Sequence, residues 1–432
     1  MPDQKQLSLI PLTMLVTGNM MGSGIFLLPA SLANIGSIAL LGWIVTSIGA
    51  ISLSLLFVRL RSIHPQKIGL YAFTRAGLGR YMGSQIIYGY WVSIWVGNMA
   101  VALSAVGYLG YFYPGLANGF NACFAAIGLI WLLSLLNLCD IRFIGRFQVI
   151  TASCLFLPVV GISLFGWSYF ETDHLIRSFN VSGHSNYWAF SESLTLTLWS
   201  FVGLESACNL ADHAQKPERD VPLATLLGTI IAAFFYIISA TAMMGIVPIE
   251  TLQSSASPFA LTARYIFGNW AGDFVSVMAV IACVGSLNGW VLMHGQIAFS
   301  AAKERLLPKV FSRLNSQGSP QWALLITAVV MSLMLLITME PTIQKHFEFI
   351  ILIAVYLMLL AYFCAILSCY ILQRRTGNSR HSGCNFILIL SMSYCLWGIS
   401  GAGVEVVIPG SILILLGGIM YCRTHRKDTI ND

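Results

Sequence analysis

Apolar runs of roughly 20 residues recur from one end of this chain to the other, and a run of that length matches the hydrocarbon core of a bilayer. Twelve are read, at about 8–31, 37–58, 82–112, 119–139, 148–169, 189–211, 222–247, 272–301, 322–339, 347–372, 385–401 and 405–422. A chain patterned this way has few choices. In lipid every backbone polar group must be bonded inside the protein, so spans fold as helices or as strands of a closed barrel. These runs are too long for barrel strands, so the expected fold class is all-α polytopic membrane protein, with twelve transmembrane helices. Only 9% of the 432 residues are charged, and soluble domains carry about a quarter. The polar connections are short, so a single transmembrane domain over 1–432 is expected. The first run is not read as a signal peptide. It is long, has internal glycines and is followed at once by further spans.

The basic residues give an orientation. One set of connections holds Lys5, the Arg59–Arg80 loop, Arg142 and Arg146, Lys216 and Arg219, Lys303–Arg313, Arg374–Arg380 and the Arg423–Lys427 tail. Of the 23 Lys and Arg, only Arg177, Arg264 and Lys345 lie on the other side. The positive-inside rule therefore places both termini in the cytoplasm, as in a bacterial inner-membrane protein. The net charge of +6 reflects this topology and calls for no nucleic acid. The loop before the third span is helix-compatible, and Tyr71 within it is a candidate inward gate. The ten cysteines lie mostly within or at the ends of apolar runs, where cysteine acts as a small hydrophobe; neither a disulfide framework nor a metal site is expected.

Two spans are badly made as continuous helices. In the first, Gly18, Gly22 and Gly24 precede Pro29, so an unbroken helix is not expected. Irregular backbone at membrane depth is tolerated where it lines a cavity. There the N–H groups of Ser23, Gly24 and Ile25 would open toward the contents, and such a helix end favours a carboxylate. Close packing through the Gly18/Gly22 pair is the competing reading. In the sixth span, Leu198–Ser206 repeats the pattern with Gly203 and adds an acid, Glu205. Interrupted helices at matching positions of two halves point to a midplane binding site. The halves are read as 8–169 and 189–372. Five spans in each force an inverted arrangement, and 385–422 adds two more.

Glu205 is the one acid placed deep in a span. Such residues usually face a cavity, so it is a candidate proton-linked group. Trp199, Trp290 and Tyr90 could wall a cation site by cation–π contact, although each type is also common in packed cores and at interfaces. Asn98 lies mid-span and needs a partner, either a substrate head group or another helix. His294, one turn beyond Trp290, could titrate or simply pack. Paired carboxylates, a metal-spaced cluster and a nucleophile elbow are all lacking, which argues against an enzyme. Repeated pore motifs and charged rings are also lacking, which argues against a channel.

Five stretches in order, GNMMGSGIFLLPA at 18–30, YWVSIWVGNMA at 90–100, LWSFVGLESA at 198–207, KPERDVPLAT at 216–225 and GSLNGW at 285–290, resemble the basic amino acid/polyamine antiporters of the amino acid–polyamine–organocation superfamily. Within it the chain is most similar to the arginine/agmatine exchangers, through Tyr90-Trp91, Asn180–Gly183 and Leu198–Ala207. The resemblance implies a LeuT-like five-plus-five inverted repeat with discontinuous helices 1 and 6. It implies exchange of an external cationic amino acid for its internal decarboxylated amine, serving acid resistance beside a cytoplasmic decarboxylase. Lysine/cadaverine or ornithine/putrescine exchange, and proton-coupled amino acid uptake, are the alternatives. It further implies a homodimer and no cofactor. By the same resemblance, Ser23 and Gly24 would bind the carboxylate, and the carbonyls of Met20, Trp199 and Val202 would bind the α-amino group. Trp290 and Asn98 would hold a guanidinium. Tyr90, Glu205 and Trp290 would form a middle gate, and Tyr71 would contribute to pH sensing. The chain departs from the arginine exchangers at Phe349–Ala354, which is wholly apolar where serines are expected, at Ser93-Ile94, and at His294. All three bear on the distal end of the substrate.

Overall fold

The computed structural model describes residues 8–63, 69–138, 141–205, 214–375 and 382–425. Among these the chain is predominantly helical and has no strands. The elements are α1 (Leu9–Met20), α2 (Gly22–Ala33), α3 (Ala39–Ile63), α4 (Gly69–Leu78), α5 (Arg80–Leu109), α6 (Gly119–Leu136), α7 (Ile141–Phe165), α8 (Thr172–Arg177), α9 (Asn186–Leu198), α10 (Pro217–Ile246), α11 (Ile249–Gln253), α12 (Pro258–Phe267), α13 (Asn269–Lys303), α14 (Gln321–Ile337), α15 (Ile343–Arg375), α16 (Ser382–Gly401) and α17 (Val404–His425). Eight helical segments are long and apolar enough to cross a membrane, counting α1 and α2 together. Three shorter ones, Cys154–Tyr169, Gln321–Ile337 and Asn385–Gly401, are also apolar. Long helices outrun the apolar runs at their ends. The fifth begins at Ile141 and includes Arg142 and Arg146, because a helix continues into the headgroup layer once its apolar core is set.

The first span is broken at Met21, between α1 and α2. The run read from the sequence as the sixth span is broken after α9, where a 3₁₀ turn at Trp199–Phe201 gives way to extended backbone at Val202. The remainder of that span, at 206–213, lies outside the described residues.

Burial separates centre from periphery. The apolar window of α5 is 94% buried and that of α15 is 78% buried, whereas that of α17 is 17% buried. The most extensive packing joins α5 to α15 and α13, α13 to α7, and α10 to both α3 and α1; α3 also packs on α9. In lipid such contacts gain little from water release. They rest on close packing and on hydroxyl hydrogen bonds worth about 0.6 kcal/mol each. Buried pairs of that kind tie the second span to its neighbours: Thr46 Oγ1 to Thr197 Oγ1 at 2.7 Å, and Ser54 Oγ to Thr229 Oγ1 at 2.8 Å. The site forms where α1/α2, α5, α9 and α13 converge.

Candidate functional site

At the first break the chain turns within one residue. Met21 (φ −74°, ψ 4°) is the N-cap of α2, and no side chain caps the helix. The first N–H groups of a helix have no partner within it, so those of Gly22 to Gly24 are left facing the break. Two serines press on this end. A Cβ on Gly22 would meet Ser286 Oγ of α13 at 2.5 Å, and one on Gly24 would meet Ser200 Oγ at 2.7 Å and Ser200 Cα at 3.1 Å. Glycine is required here by close approach of the second break and of α13, more than by its torsional freedom.

The second break is wider. Val202 is extended (φ −66°, ψ 130°), and Gly203 has φ 107°, a conformation costly for residues with a Cβ. A Cβ at Gly203 would also lie 3.1 Å from the Trp290 indole. One side chain bridges the two breaks. The buried Tyr236 hydroxyl of α10 lies 2.7 Å from the Met20 carbonyl oxygen and 2.8 Å from that of Ser200. Its ring stacks on Trp43 at 4.8 Å and meets Phe201 edge-on at 5.4 Å.

Between the breaks lies a small cavity, lined by both breaks, by α5 and by α13. Met20, Gly24, Asn98, Trp199, Val202 and Trp290 all contribute to its wall, as do Asn19, Ser93 and Ser286. The opening turn of α2, the end of α1, whose Met20 carbonyl accepts the Tyr236 hydroxyl, and the 3₁₀ turn thus meet in one small space. This pairing can take an ampholyte, with carboxylate toward the donors and ammonium toward the carbonyls. The two tryptophans are each seated on a glycine: Trp199 lies over Gly97 of α5, and Trp290 against Gly203. The side chain of Ser23 is outside what the structure describes.

The distal end differs from simple expectation. Asn98 is not free: its Nδ2 lies 3.0 Å from Nδ1 of His294. His294 is fully buried and does not line the cavity. Ser93 donates its hydroxyl to the Ala354 carbonyl at 2.8 Å. The helix α15 contributes no residue to the cavity wall.

Glu205 and Tyr90 form a group of their own behind the wall. The Tyr362 hydroxyl of α15 donates to Glu205 Oε2 at 2.7 Å, and Tyr90 faces the same carboxyl. Neither Glu205 nor Tyr90 lines the cavity. Tyr71 lies apart, on α4. Arg75 Nη1 donates to its hydroxyl at 3.2 Å and reaches Glu304, just beyond α13, at 3.7 Å. Burial and the nearby Glu304 carboxylate push the Tyr71 phenol above its ordinary range. The structure therefore brings Met20, Gly24, Asn98, Trp199, Val202 and Trp290 together, and sets Glu205 with Tyr90, His294 behind Asn98, and Tyr71 at the basic end. Sequence reasoning missed Tyr236, Tyr362, Ser200, Ser286 and Gly97.

Fold and cavity describe a multi-pass membrane protein of the transporter class, and comparison with known proteins agrees. The family model described as amino acid permease matches residues 7–419. The chain is 35% identical to the cadaverine/lysine antiporter of Escherichia coli (strain K12), over 99% of this chain and 97% of that one. It is 31% identical to the putrescine transporter PotE of the same strain, over 96% and 95%. Its identity to PotE of Haemophilus influenzae is also 31%, over 96% of each chain. The chain belongs to the basic amino acid/polyamine antiporter family of the amino acid permeases.

Proposed function

We propose that this chain is an inner-membrane exchanger that imports a cationic amino acid and exports its decarboxylated amine by alternating access. The observation that carries the reading is the cavity itself. Residues of both breaks, with the uncapped first turn of α2, share it with two tryptophans. Donors and carbonyls suit the α-carboxylate and α-ammonium. The indole of Trp290 suits a distal cation, by a contact worth roughly 0.5–2 kcal/mol. The amine lacks the carboxylate, so it would use the carbonyls and the indole alone. Glu205, held by Tyr362, is the group we assign to proton-linked gating with Tyr90 and Trp290. Coupled to a cytoplasmic decarboxylase, one turnover consumes a proton and moves net positive charge outward, which serves acid resistance.

We read the architecture as twelve spans with both termini cytoplasmic. The eight long segments, the three shorter apolar helices and α9 with its 3₁₀ turn supply them. Spans one to five and six to ten are the two inverted repeats. The packing supports this, because exchanging each span with the one five later maps strong contacts onto strong contacts. The pair α1 with α10 corresponds to α9 with α3, and the pair α5 with α15 to α13 with α7. The last two spans lie outside the repeat and are the natural place for a homodimer contact.

For the substrate pair, the distal pocket favours a terminal ammonium, as in lysine/cadaverine or ornithine/putrescine. The relatives named for cadaverine, lysine and putrescine lend support. Ser93 commits its hydroxyl to the protein, and the tenth span brings no acceptor to the cavity. A guanidinium has five N–H donors to satisfy. Arginine/agmatine is the second reading, carried by the Tyr90-Trp91 and Leu198–Ala207 motifs.

Counterflow in proteoliposomes tests this. Labelled lysine, ornithine and arginine are offered to vesicles preloaded with cadaverine, putrescine, agmatine or nothing, at pH 5 and pH 7.5. Uptake that needs a matched amine inside, stronger at pH 5 and lost in Trp290→Leu, is the expected result. Uptake into empty vesicles driven by a pH gradient would replace exchange with proton-coupled uptake.

A further inference from the structure

The Asn98–His294 contact joins the central helix α5 to α13 directly behind the cavity wall. Both side chains are almost fully buried, at 1% and 0% exposure. Asn98 lines the cavity and His294 does not, so the imidazole acts on cavity contents through its neighbours, the Asn98 amide and the Trp290 backbone. An unheld primary amide offers a cation either its oxygen or its NH₂, and only the oxygen is useful, because a cation carries donors and no acceptor. The observed geometry turns Nδ2 toward His294 Nδ1 at 3.0 Å. The ring also reaches the Trp290 backbone, and its roles follow from its tautomer: where Nδ1 accepts, the proton sits on Nε2. In that tautomer the amide is held with its NH₂ facing the protein and Oδ1 left for the cavity.

We infer that His294 is a positioning residue that fixes the Asn98 carbonyl toward the distal cation of the substrate and thereby sets selectivity between head groups. This rests on the exchange reading above. One fixed acceptor matches a compact ammonium, whose other N–H bonds can turn toward the Trp290 face. A guanidinium placed there would keep several N–H groups unsatisfied in a largely apolar wall, and each such group is expensive to bury. Without His294 the amide is free to rotate. It then stops favouring the ammonium and gains freedom to follow a broader, planar cation.

The test uses the full-length protein in proteoliposomes, with KM and maximal rate measured for lysine, ornithine and arginine. The variants are His294→Ala, His294→Gln, Asn98→Ala and the His294→Ala/Asn98→Ala double. His294→Ala is expected to raise KM for the preferred ammonium substrate about tenfold. KM for arginine should stay level or fall, and maximal rates should stay within about twofold. His294→Gln, which keeps an acceptor, should recover most of the selectivity ratio. The double variant should be no worse than Asn98→Ala, since the two residues act as one unit. Equal KM shifts for all substrates, or additive single effects, would overturn the inference and leave His294 as packing. If His294→Ala does not fold, the ratio in His294→Gln against Asn98→Ala decides: an unchanged ratio in Asn98→Ala also overturns it. A wild-type protein that exchanges no cationic amino acid would fail the function reading first and take this inference with it.

Discussion

The two helix breaks occupy matching places in the chain and are built differently. The first is a single residue wide and backs onto glycines that admit serine hydroxyls. Its contribution is donors: the opening N–H groups of α2. The second spreads over a 3₁₀ turn, an extended residue and a glycine of positive φ. It contributes carbonyls, an indole seat and an acid held by Tyr362. A tight break fixes an anion in one place, because several N–H groups must converge on it. A wide break can shift its carbonyls and carry a titratable group with them. On the proposed reading, this contrast would have the first break set where the substrate's carboxylate goes and the second respond to charge.

The sharpest way to break the contrast is at the glycines. Gly24→Ala drives a methyl into the Ser200 backbone, and overpacking of this kind costs about 1–3 kcal/mol. Counterflow is expected to fall to background and to stay there when Ser200→Ala is added. Gly22→Ala should be as damaging alone, yet largely restored by Ser286→Ala, because there the obstacle is a side-chain hydroxyl. Equal rescue at both positions would mean the first break is not tight. Next in size, Glu205→Gln should flatten the rise in exchange between pH 7.5 and pH 5 while changing KM less than about threefold. A pH profile like the wild type would move the sensing elsewhere. Tyr236→Phe removes the bridge between the breaks, and a lost neutral hydrogen bond of about 1 kcal/mol predicts a five- to tenfold loss in substrate affinity, measured by calorimetry. No loss would mean the breaks hold their places independently. The smallest effect is at Tyr71. Its phenol titrates above the ordinary tyrosine value of about 10, since burial and Glu304 raise it. It therefore stays protonated throughout pH 5–8, and any effect of its own ionisation begins only as pH rises past that value. Tyr71→Phe should leave the pH profile of counterflow in place, and a shifted profile would give Tyr71 an indirect part through Arg75 and Glu304.

Much of this was legible in the residues, and the reasons are physical. Hydrophobic run length alone dictates spanning helices, because lipid offers no other partner for the backbone. The glycines at 18, 22 and 24 cannot support an ordinary span, so the break at Met21 could be anticipated. Trp290, Trp199 and Asn98 stood out as polar or aromatic groups at membrane depth. What the sequence hid were partners. Tyr236 lies in Phe234–Ser239, which reads as plain apolar helix, and its two carbonyl acceptors are 216 and 36 residues away. Asn98 and His294 were each visible as residues in need of a partner, but 196 positions separate them, and no periodicity reports a contact between two helices. Gly97 beside Asn98 gave no signal of the Trp199 ring that lies on it.

The Tyr236 bridge carries a consequence for turnover. A phenol has one hydrogen, and here two carbonyl oxygens stand within reach of it. At any instant one of them must go without. That deficit lies in the buried interior, where an unmatched oxygen is costly. On the proposed exchange reading, an incoming ammonium would serve the carbonyl of Met20, a residue of the cavity wall, and leave the phenol hydrogen to Ser200. Occupancy would then relieve a frustration built into the two breaks. In an exchanger such asymmetry would act as a ratchet, holding one cargo until the next is ready to replace it.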